Sequence, residues 1–411
     1  MKKLIRERYL AKVRPFYDDN EIIKVFTGVR RCGKSTLMEQ IRDELLEKGV
    51  NPSNIIFLNL DKRPYKSLVS ADAFEKAIDR KIEEAKKDEL IYLFIDEIQN
   101  IKDFEPSINA YREEGISVFI AGSNSYLLSG KLVTKLTGRY IEIPVHTLSY
   151  SESIELKKLN QIAIEKDDFI TFLRWGGFPK SFEYNDESSK MLYISSTIDE
   201  ILSKDILKKA KVRNAPLLRK CIDFLSSNPA LTISPKAIAM YLRNENIKTK
   251  QSTIERYVSF IFDSKICDKV NRYNIKGKNA LRTLYKSYLS DLSFKTFASN
   301  NPKSLDFGLL LENVVYHELT LRGYQTMVGK WGNKEIDFIA RKGSEIYYIQ
   351  VCYLMGEKGS KTYEREIAPL LDIKDNYPKY ILSMDPFPGE EKGIIRYRIV
   401  DDFLLGDSLL K

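Results

Sequence analysis

Short apolar runs alternate with longer segments of helical periodicity through the first 150 residues. The apolar runs are rich in β-branched and aromatic residues, which is typical of buried strands. They lie at residues 22–27, 54–60, 90–95, 116–121 and 140–145, and helical spacing occurs at 35–47, 72–87 and 102–114. This alternation predicts an α/β fold in which a parallel sheet carries helices on both faces.

The pattern changes beyond residue 150. Helical spacing runs through residues 151–210, interrupted by a Trp-Gly-Gly-Phe-Pro turn at 175–179. A helix, a turn, two more helices and two strand-like pieces then follow within residues 215–297, which is a winged-helix pattern. We therefore predict an α/β core at 1–150, a helical lid at 151–210, a winged-helix-like domain at 211–300 and a small α/β domain at 301–411.

The segment 28–36 reads GVRRCGKST and fits the phosphate-binding template GxxxxGK[ST] at every fixed position. It lies between a predicted strand and a predicted helix, where loop amides and the helix N-terminus would surround phosphates. Lys34 would reach the β- and γ-phosphates, and Ser35 would hold Mg²⁺. The segment predicts a nucleoside triphosphate site. The residues expected to bind the nucleotide are Gly28, Val29, Arg30, Arg31, Cys32, Gly33, Lys34, Ser35, Thr36 and, through the metal, Asp96.

Polar residues follow two further predicted strands. Asp96 and Glu97 end the run at 90–95, where Asp96 would face Mg²⁺ and Glu97 would deprotonate an attacking water. Ser123 or Asn124, after the run at 116–121, would contact the γ-phosphate or that water. A solvated loop for the acidic pair and a simple turn for Ser123 and Asn124 are the alternatives.

Charge and hydropathy narrow the choice of partners. The net charge is +9, and residues 231–290 contain 12 Lys and Arg against 4 Asp and Glu. This local excess favours DNA as the partner of the winged-helix-like domain, whereas a module that binds protein stays open. The residues suited to bases and phosphates are Gln251, Ser252, Arg256, Lys276 and Lys278.

No apolar stretch is long enough to span a membrane, and the polar start of the chain lacks the apolar core of a signal peptide. We therefore expect a cytoplasmic protein with no membrane partner. The four isolated cysteines have neither metal-ligand nor disulfide-framework spacing, so no zinc site or disulfide is expected.

Acidic and amide residues also recur near the C-terminus. Glu312 lies on a predicted helix, and Asp337 and Gln350 lie on two adjacent predicted strands. Carboxylates in this arrangement are typical of the metal site of a nuclease.

Taken together, these motifs resemble prokaryotic AAA-type P-loop ATPases that carry a C-terminal restriction-endonuclease-like domain of unknown function, of the DUF4143 type. The matching segments are residues 25–35, 121–124, 136–139, 176–179, 311–313 and 335–338. The resemblance implies ATP and Mg²⁺ as cofactors, Ser123 or Asn124 as the γ-phosphate sensor, and Arg139 as the arginine that meets the transferring phosphoryl group, either within one copy of the chain or across a contact between two copies. A surface salt bridge is the alternative for Arg139.

The chain departs from the nuclease pattern at Cys352, where a lysine is expected. A thiol is neutral or anionic and cannot replace an ammonium group. We therefore expect this domain to be a folded relic or a binding module without nuclease activity, with Lys358 or Lys361 as weak substitutes for the missing lysine.

The sequence thus predicts an ATP-binding protein and Mg²⁺-dependent ATPase that couples hydrolysis to action on DNA or on a protein partner. Two alternatives stay open. One is a DNA-binding regulator in which the nucleotide is only a structural ligand, and the other is an ATP-gated nuclease.

Overall fold

The computed structural model describes residues 1–122, 138–207, 212–299 and 306–406, without the side chains of Arg282 and Thr283. The chain divides into two compact units. The N-terminal unit comprises Lys3–Thr147 with Asp263–Lys265, and the C-terminal unit comprises Met1–Lys2, Leu148–Phe262 and the chain from Ile266 onward. Ser123 and Asn124 lie outside the described residues.

The N-terminal unit contains, in its described part, a sheet of five parallel strands in the order β2-β3-β4-β1-β5. The strands are β1 Ile23–Thr27, β2 Ile55–Asn59, β3 Tyr92–Asp96, β4 Ser117–Ala121 and β5 Tyr140–Pro144. The helices are α1 Glu7–Val13, α2 Lys34–Glu47, α3 Ala71–Glu83 and α4 Glu105–Glu113. The parallel sheet predicted from the apolar runs is confirmed.

The three central strands β1, β3 and β4 are buried along their whole length, which explains why their sequences are continuous apolar runs. Phe94 on β3 stacks against Phe119 on β4, with ring centroids 4.4 Å apart. The parallel register places Asn59, Asp96 and Ala121 side by side. One edge of the sheet therefore gathers the residues that follow β1, β2, β3 and β4, which is where α/β proteins bind ligands.

The C-terminal unit mixes helices with a larger sheet. The helices are α5 Tyr150–Leu159, α6 Asp168–Trp175, α7 Glu187–Glu200, α8 Ala215–Ser227, α9 Pro235–Asn244, α10 Gln251–Asp263, α11 Ser293–Ala298, α12 Phe307–Leu321 and α13 Lys361–Asp372. The strands are β6 Thr232–Ile233, β7 Cys267–Asn274, β8 Asn279–Leu289, β9 Gln325–Trp331, β10 Lys334–Lys342, β11 Glu345–Val351, β12 Lys379–Ser383, β13 Gly389–Glu391 and β14 Ile394–Arg398. The described strands form one nine-stranded sheet in the order β13-β14-β12-β11-β10-β9-β7-β8-β6.

The ribbon of the predicted winged-helix-like domain is part of this sheet. Strands β7 and β8 form an antiparallel ribbon, and Arg272, Tyr273 and Asn274 of β7 pair in parallel with β9. Strands on both sides of the predicted boundary at residue 300 therefore belong to one sheet. The domain limits at 150, 210 and 300 stay predictions.

The Gly-Gly turn at 176–177 is explained by close packing. The backbone N–H of Gly177 donates to Oδ2 of Asp291 at 2.9 Å. A Cβ on Gly176, whose φ is +69°, would lie 1.9 Å from Oδ1 of Asp291, and a Cβ on Gly177 would lie 2.1 Å from the carbonyl oxygen of Leu148. Only glycine fits at either position. The turn thereby packs the end of α6 closely against the residues that follow β8.

In the described part of the chain, no helix is both long and apolar enough to cross a membrane.

Candidate nucleotide site

The loop between β1 and α2 has the conformation of an anion-binding loop. Gly28 has φ +146° and Gly33 has φ +112°, in the region that favours glycine, and α2 begins immediately after Gly33. A Cβ on Gly28 would lie 2.1 Å from the carbonyl oxygen of Val145. The loop thus leads into the N-terminus of a helix of 14 residues, whose unpaired amides and dipole favour negative charge.

Lys34 lies against this loop. Its Nζ donates to the carbonyl oxygens of Gly28 at 2.9 Å and Val29 at 3.1 Å, and the residue is buried. Phosphate oxygens are stronger acceptors than carbonyl oxygens because they are charged. The loop therefore already holds the ammonium group beside the backbone that would bind the phosphates.

Asp96 has an unsatisfied oxygen. Its Oδ2 accepts a hydrogen bond of 2.7 Å from Asn59, whereas its buried Oδ1 has no hydrogen-bond partner among the described residues. Burial raises the pKa of Asp96, and the hydroxyl of Ser35 and the charge of Lys34 oppose that rise. Mg²⁺ in such sites takes one or two carboxylates together with phosphate oxygens. The pair Asp96 and Ser35 therefore fits the predicted metal.

Glu97 follows β3 with a left-handed backbone, at φ +59°. Its carboxylate accepts hydrogen bonds from Gln99 and from the guanidinium of Arg30. Burial raises the pKa of Glu97, while the positive charges of Arg30 and Lys34 lower it. The predicted base is thus a buried carboxylate beside two cations of the phosphate loop.

Two contributors to this site were missed by the sequence analysis. Asn59 was detectable, because it lies near the end of the run predicted at 54–60, at the same edge of the sheet as Asp96. Arg6 donates to the carbonyl oxygens of Cys32 at 3.3 Å and His146 at 2.8 Å, so it supports the phosphate loop. No local pattern marks Arg6, since its partners lie 26 and 140 residues away.

Arg139 lies far from this loop along the sheet. It directly precedes β5, at the end opposite to Gly28, and donates to Asn109 at 3.2 Å and Glu113 at 3.4 Å on α4. A strand of five residues spans about 16 Å. Its predicted role therefore requires a phosphate bound by a second copy of the chain, and that role stays a prediction.

The residues predicted to contact DNA are exposed. Gln251, Ser252 and Arg256 lie on α10, and Lys276 and Lys278 lie in the turn of the ribbon. Gln251 also donates to Glu255 at 2.9 Å. Their exposure leaves them accessible to a partner.

The predicted nuclease-like residues do converge in the C-terminal unit. Oδ2 of Asp337 on β10 accepts from the backbone N–H of Val351 at 2.9 Å, next to Gln350 on β11. Gln350 donates to Glu366 at 3.0 Å, and Glu312 extends from α12. In the described ranges, however, no three His, Cys, Asp or Glu side chains are grouped as a metal site requires.

A lysine that the sequence analysis missed joins this cluster. Nζ of Lys286 on β8 lies 2.7 Å from Glu312, 2.9 Å from Glu335 and 3.5 Å from Asp337. Burial alone would lower the pKa of Lys286, but these carboxylates together raise it. Burial and the charge of Asp337 raise the pKa of Glu312, and the charge of Lys286 and its hydrogen bond oppose that rise. The cluster is therefore a buried ion-pair network around one ammonium group.

The lysines suggested as substitutes for Cys352 lie elsewhere. Lys358 is exposed and pairs with Glu391 at 2.8 Å, and Lys361 is an exposed residue at the start of α13. Burial raises the pKa of the Cys352 thiol, which keeps it neutral. Lys286, from a strand 66 residues earlier, is the lysine that reaches Asp337.

The comparisons with known proteins agree with this geometry. Residues 20–154 match a family described as an AAA domain, and residues 166–304 match a domain of unknown function, DUF8612. The second match ends at residue 304, at the start of the last predicted domain, and is not of the DUF4143 type, so the restriction-endonuclease-like assignment stays a prediction.

A Walker-type ATPase of Pyrococcus abyssi has a similar structure, with a TM-score of 0.53 and 13% identity, over 72% of this chain and 96% of that one. This likeness shows the fold alone, and with the AAA match it confirms a P-loop NTPase fold.

Two uncharacterised proteins are similar in sequence. One from Methanocaldococcus jannaschii is 28% identical over 85% of this chain and 79% of its own length. One from Haemophilus influenzae is 36% identical over 97% of this chain and 98% of its own length. The chain therefore belongs to the family of this Haemophilus influenzae protein, and its N-terminal part is an AAA domain with a P-loop NTPase fold.

Proposed function

We propose that this protein binds ATP with Mg²⁺ and hydrolyses it. The observation that carries the proposal is the buried Oδ1 of Asp96, which lacks a partner among the described residues and lies in the same site as Ser35 and Lys34. A buried carboxylate oxygen without a partner is costly. A metal ion bound beside Ser35 would remove that cost.

The residues of the site have separate tasks in this proposal. The loop amides and Lys34 bind and orient the phosphates, and Ser35 and Asp96 hold Mg²⁺, which supplies charge neutralisation on the phosphate oxygens. Glu97 accepts the proton of the attacking water, so that the hydroxide oxygen bonds to phosphorus as the bond to the leaving ADP oxygen breaks. Adenine as the base rests on the similarity to AAA domains.

We propose that the C-terminal unit acts on DNA. Three polar side chains in the first two turns of α10 and two lysines in the ribbon turn are exposed, and this part of the chain has an excess of positive charge. Such residues contact phosphates and base edges. A protein partner is the competing outcome, and it would make turnover insensitive to DNA.

We also propose that the nuclease-like cluster performs no cleavage. Lys286 supplies the ammonium group that Cys352 does not, but this ammonium lies among Glu312, Glu335 and Asp337 and takes the place of the metal ion that they would have to hold. On this proposal, Asp337→Ala leaves DNA intact in the presence of Mg²⁺, as the unmodified chain does.

The test is ATP turnover by the full chain with Mg²⁺, with and without duplex DNA, beside Lys34→Ala and Glu97→Gln. Lys76→Ala and Glu89→Gln are matched controls, because both residues form exposed ion pairs on the surface. We expect turnover in the unmodified chain and both controls, loss in the two site variants, and retained ATP binding by Glu97→Gln. ATP binding without turnover under either condition would refute hydrolysis and favour the regulator in which nucleotide is only a ligand.

A further inference from the structure

The side chain of Arg30, the third residue of the phosphate loop, lies against the predicted base. Its two terminal nitrogens are 3.5 Å and 3.3 Å from the two carboxylate oxygens of Glu97. Nη1 also lies 3.4 Å from Asp61. Only 8% of the Arg30 side chain and 11% of the Glu97 side chain are exposed, so the pair is shielded from water.

This contact occupies the carboxylate of Glu97. Arg30 lies against both carboxylate oxygens, and Gln99 donates to one of them. A general base must lie within hydrogen-bond reach of the water whose proton it accepts. While the contact lasts, Arg30 therefore competes with that water for the carboxylate oxygens.

The geometry of the contact is loose. Charge-assisted N–H···O bonds are usually about 2.7–2.9 Å long, and the contacts of Arg30 with Asp61 at 3.4 Å and with Glu97 at 3.5 and 3.3 Å exceed that length. Arginine binds phosphate in a bidentate manner, and a terminal phosphate has more negative charge than one carboxylate. A terminal phosphate in the loop would therefore compete with Glu97 for Arg30.

We propose that Arg30 is a positioning residue that senses the terminal phosphate. It holds Glu97 when the loop contains no terminal phosphate, and it transfers to that phosphate when a triphosphate binds, which leaves the Glu97 carboxylate open to the attacking water. The proposal rests on the nucleotide site proposed above. It assigns to Arg30 the discrimination between a triphosphate and a diphosphate.

Nucleotide affinity tests this role without requiring turnover. We would measure the dissociation constants of ADP and a non-hydrolysable ATP analogue, with Mg²⁺, for the full chain, Arg30→Gln, Glu97→Gln and the double variant. We expect Arg30→Gln to lower the affinity for the analogue at least tenfold and to change the affinity for ADP less than threefold. A selective contact worth about 1.4 kcal/mol or more would give this difference. Glu97→Gln should increase the affinity for the analogue, and this increase should be smaller when Arg30 is also replaced.

A purely structural role for Arg30 predicts a different result. Arg30→Gln would then change the affinities for ADP and the analogue by the same factor, which would overturn the proposal. Arg42→Gln removes one positive charge from α2, where Arg42 pairs with its neighbour Asp43, and should change neither constant. Failure of the unmodified chain to bind either nucleotide would overturn both this proposal and the proposed function, whereas binding without turnover would remove only hydrolysis.

Discussion

Lys24 lies on β1 with 0% of its surface exposed, and we expect it to make the stability of the N-terminal unit depend on pH. Its Nζ donates to the carbonyl oxygen of Asp19 at 2.6 Å and to Oγ of Ser117 at 2.9 Å, and it lies 4.4 Å from the ring centroid of Phe119. Burial lowers the pKa of Lys24 from 10.5 to about 7, although the charges of Asp19 and Asp18 oppose that effect.

The sign follows from proton binding in the two states. Between pH 7 and pH 10.5 the unfolded chain binds a proton at this lysine that the folded chain does not bind, so stability rises with pH across this window. At 1.36 kcal/mol per pKa unit the total effect is about 5 kcal/mol. From pH 7.5 to pH 9.5 the gain is about 2.5 kcal/mol, because stability changes by 1.36 kcal/mol for each fully displaced proton and pH unit.

Calorimetry of the full chain and Lys24→Met isolates this contribution, because other groups that titrate at high pH are common to both proteins. Methionine has a similar length and no charge, so we expect Lys24→Met to melt at a higher temperature than the unmodified chain at pH 7.5. The difference should shrink by about 5–10 °C at pH 9.5, since 1 kcal/mol shifts the melting temperature by 2–4 °C in a unit of this size.

Lys24→Arg is the matched control, because arginine keeps its charge at both pH values. It should be less stable than the unmodified chain, increasingly so as pH rises. A difference between Lys24→Met and the unmodified chain that is equal at pH 7.5 and pH 9.5 would refute the reasoning. It would mean that the carbonyl, the hydroxyl and the aromatic ring fully compensate the buried charge.

Three further outcomes are expected. Lys286→Met should lower the free energy of unfolding, measured by calorimetry, by about 3–5 kcal/mol, because it leaves buried carboxylates unpaired. Adding Glu312→Leu should restore part of this lost stability. Gly28→Ala should abolish nucleotide binding measured by titration calorimetry, since its Cβ would overlap the carbonyl oxygen of Val145. Gly49→Ala is its control, because that glycine also has positive φ but no atom within 4 Å of the added Cβ. Arg139→Ala should change stability by less than about 1 kcal/mol as an exposed ion pair, and a loss of turnover that depends on protein concentration would show its action between copies.

Local sequence was sufficient to predict the glycine loop and the acidic pair of the candidate nucleotide site. Apolar runs, a glycine loop and an acidic pair each occupy a few consecutive residues, and the rule that parallel strands end at one edge of a sheet predicts that Lys34 and Asp96 lie close together. The side-chain contact between Arg30 and Glu97 was not predictable, because it depends on the rotamers of residues 67 positions apart.

The C-terminal cluster shows a different limit. Asp337 and Gln350 could be paired because they lie on neighbouring strands of one antiparallel pair. Lys286 lies on a strand assigned to another predicted domain, and nothing in its neighbourhood indicates that β7 pairs with β9. Tertiary packing decides which strands pair when they are distant in sequence. The sequence could therefore suggest substitutes for the missing lysine only close to Cys352.

The parallel pairing of β7 with β9 has a consequence for the order of folding. Only three residue pairs join these strands, whereas the β7–β8 ribbon and the β9–β10–β11 meander close through short turns. Local contacts form early because their loops cost little entropy to close, and distant pairings form late. We therefore expect the two halves of the sheet to assemble separately and to join last at Arg272, Tyr273 and Asn274, whose amides should exchange hydrogen before those at the centre of the meander.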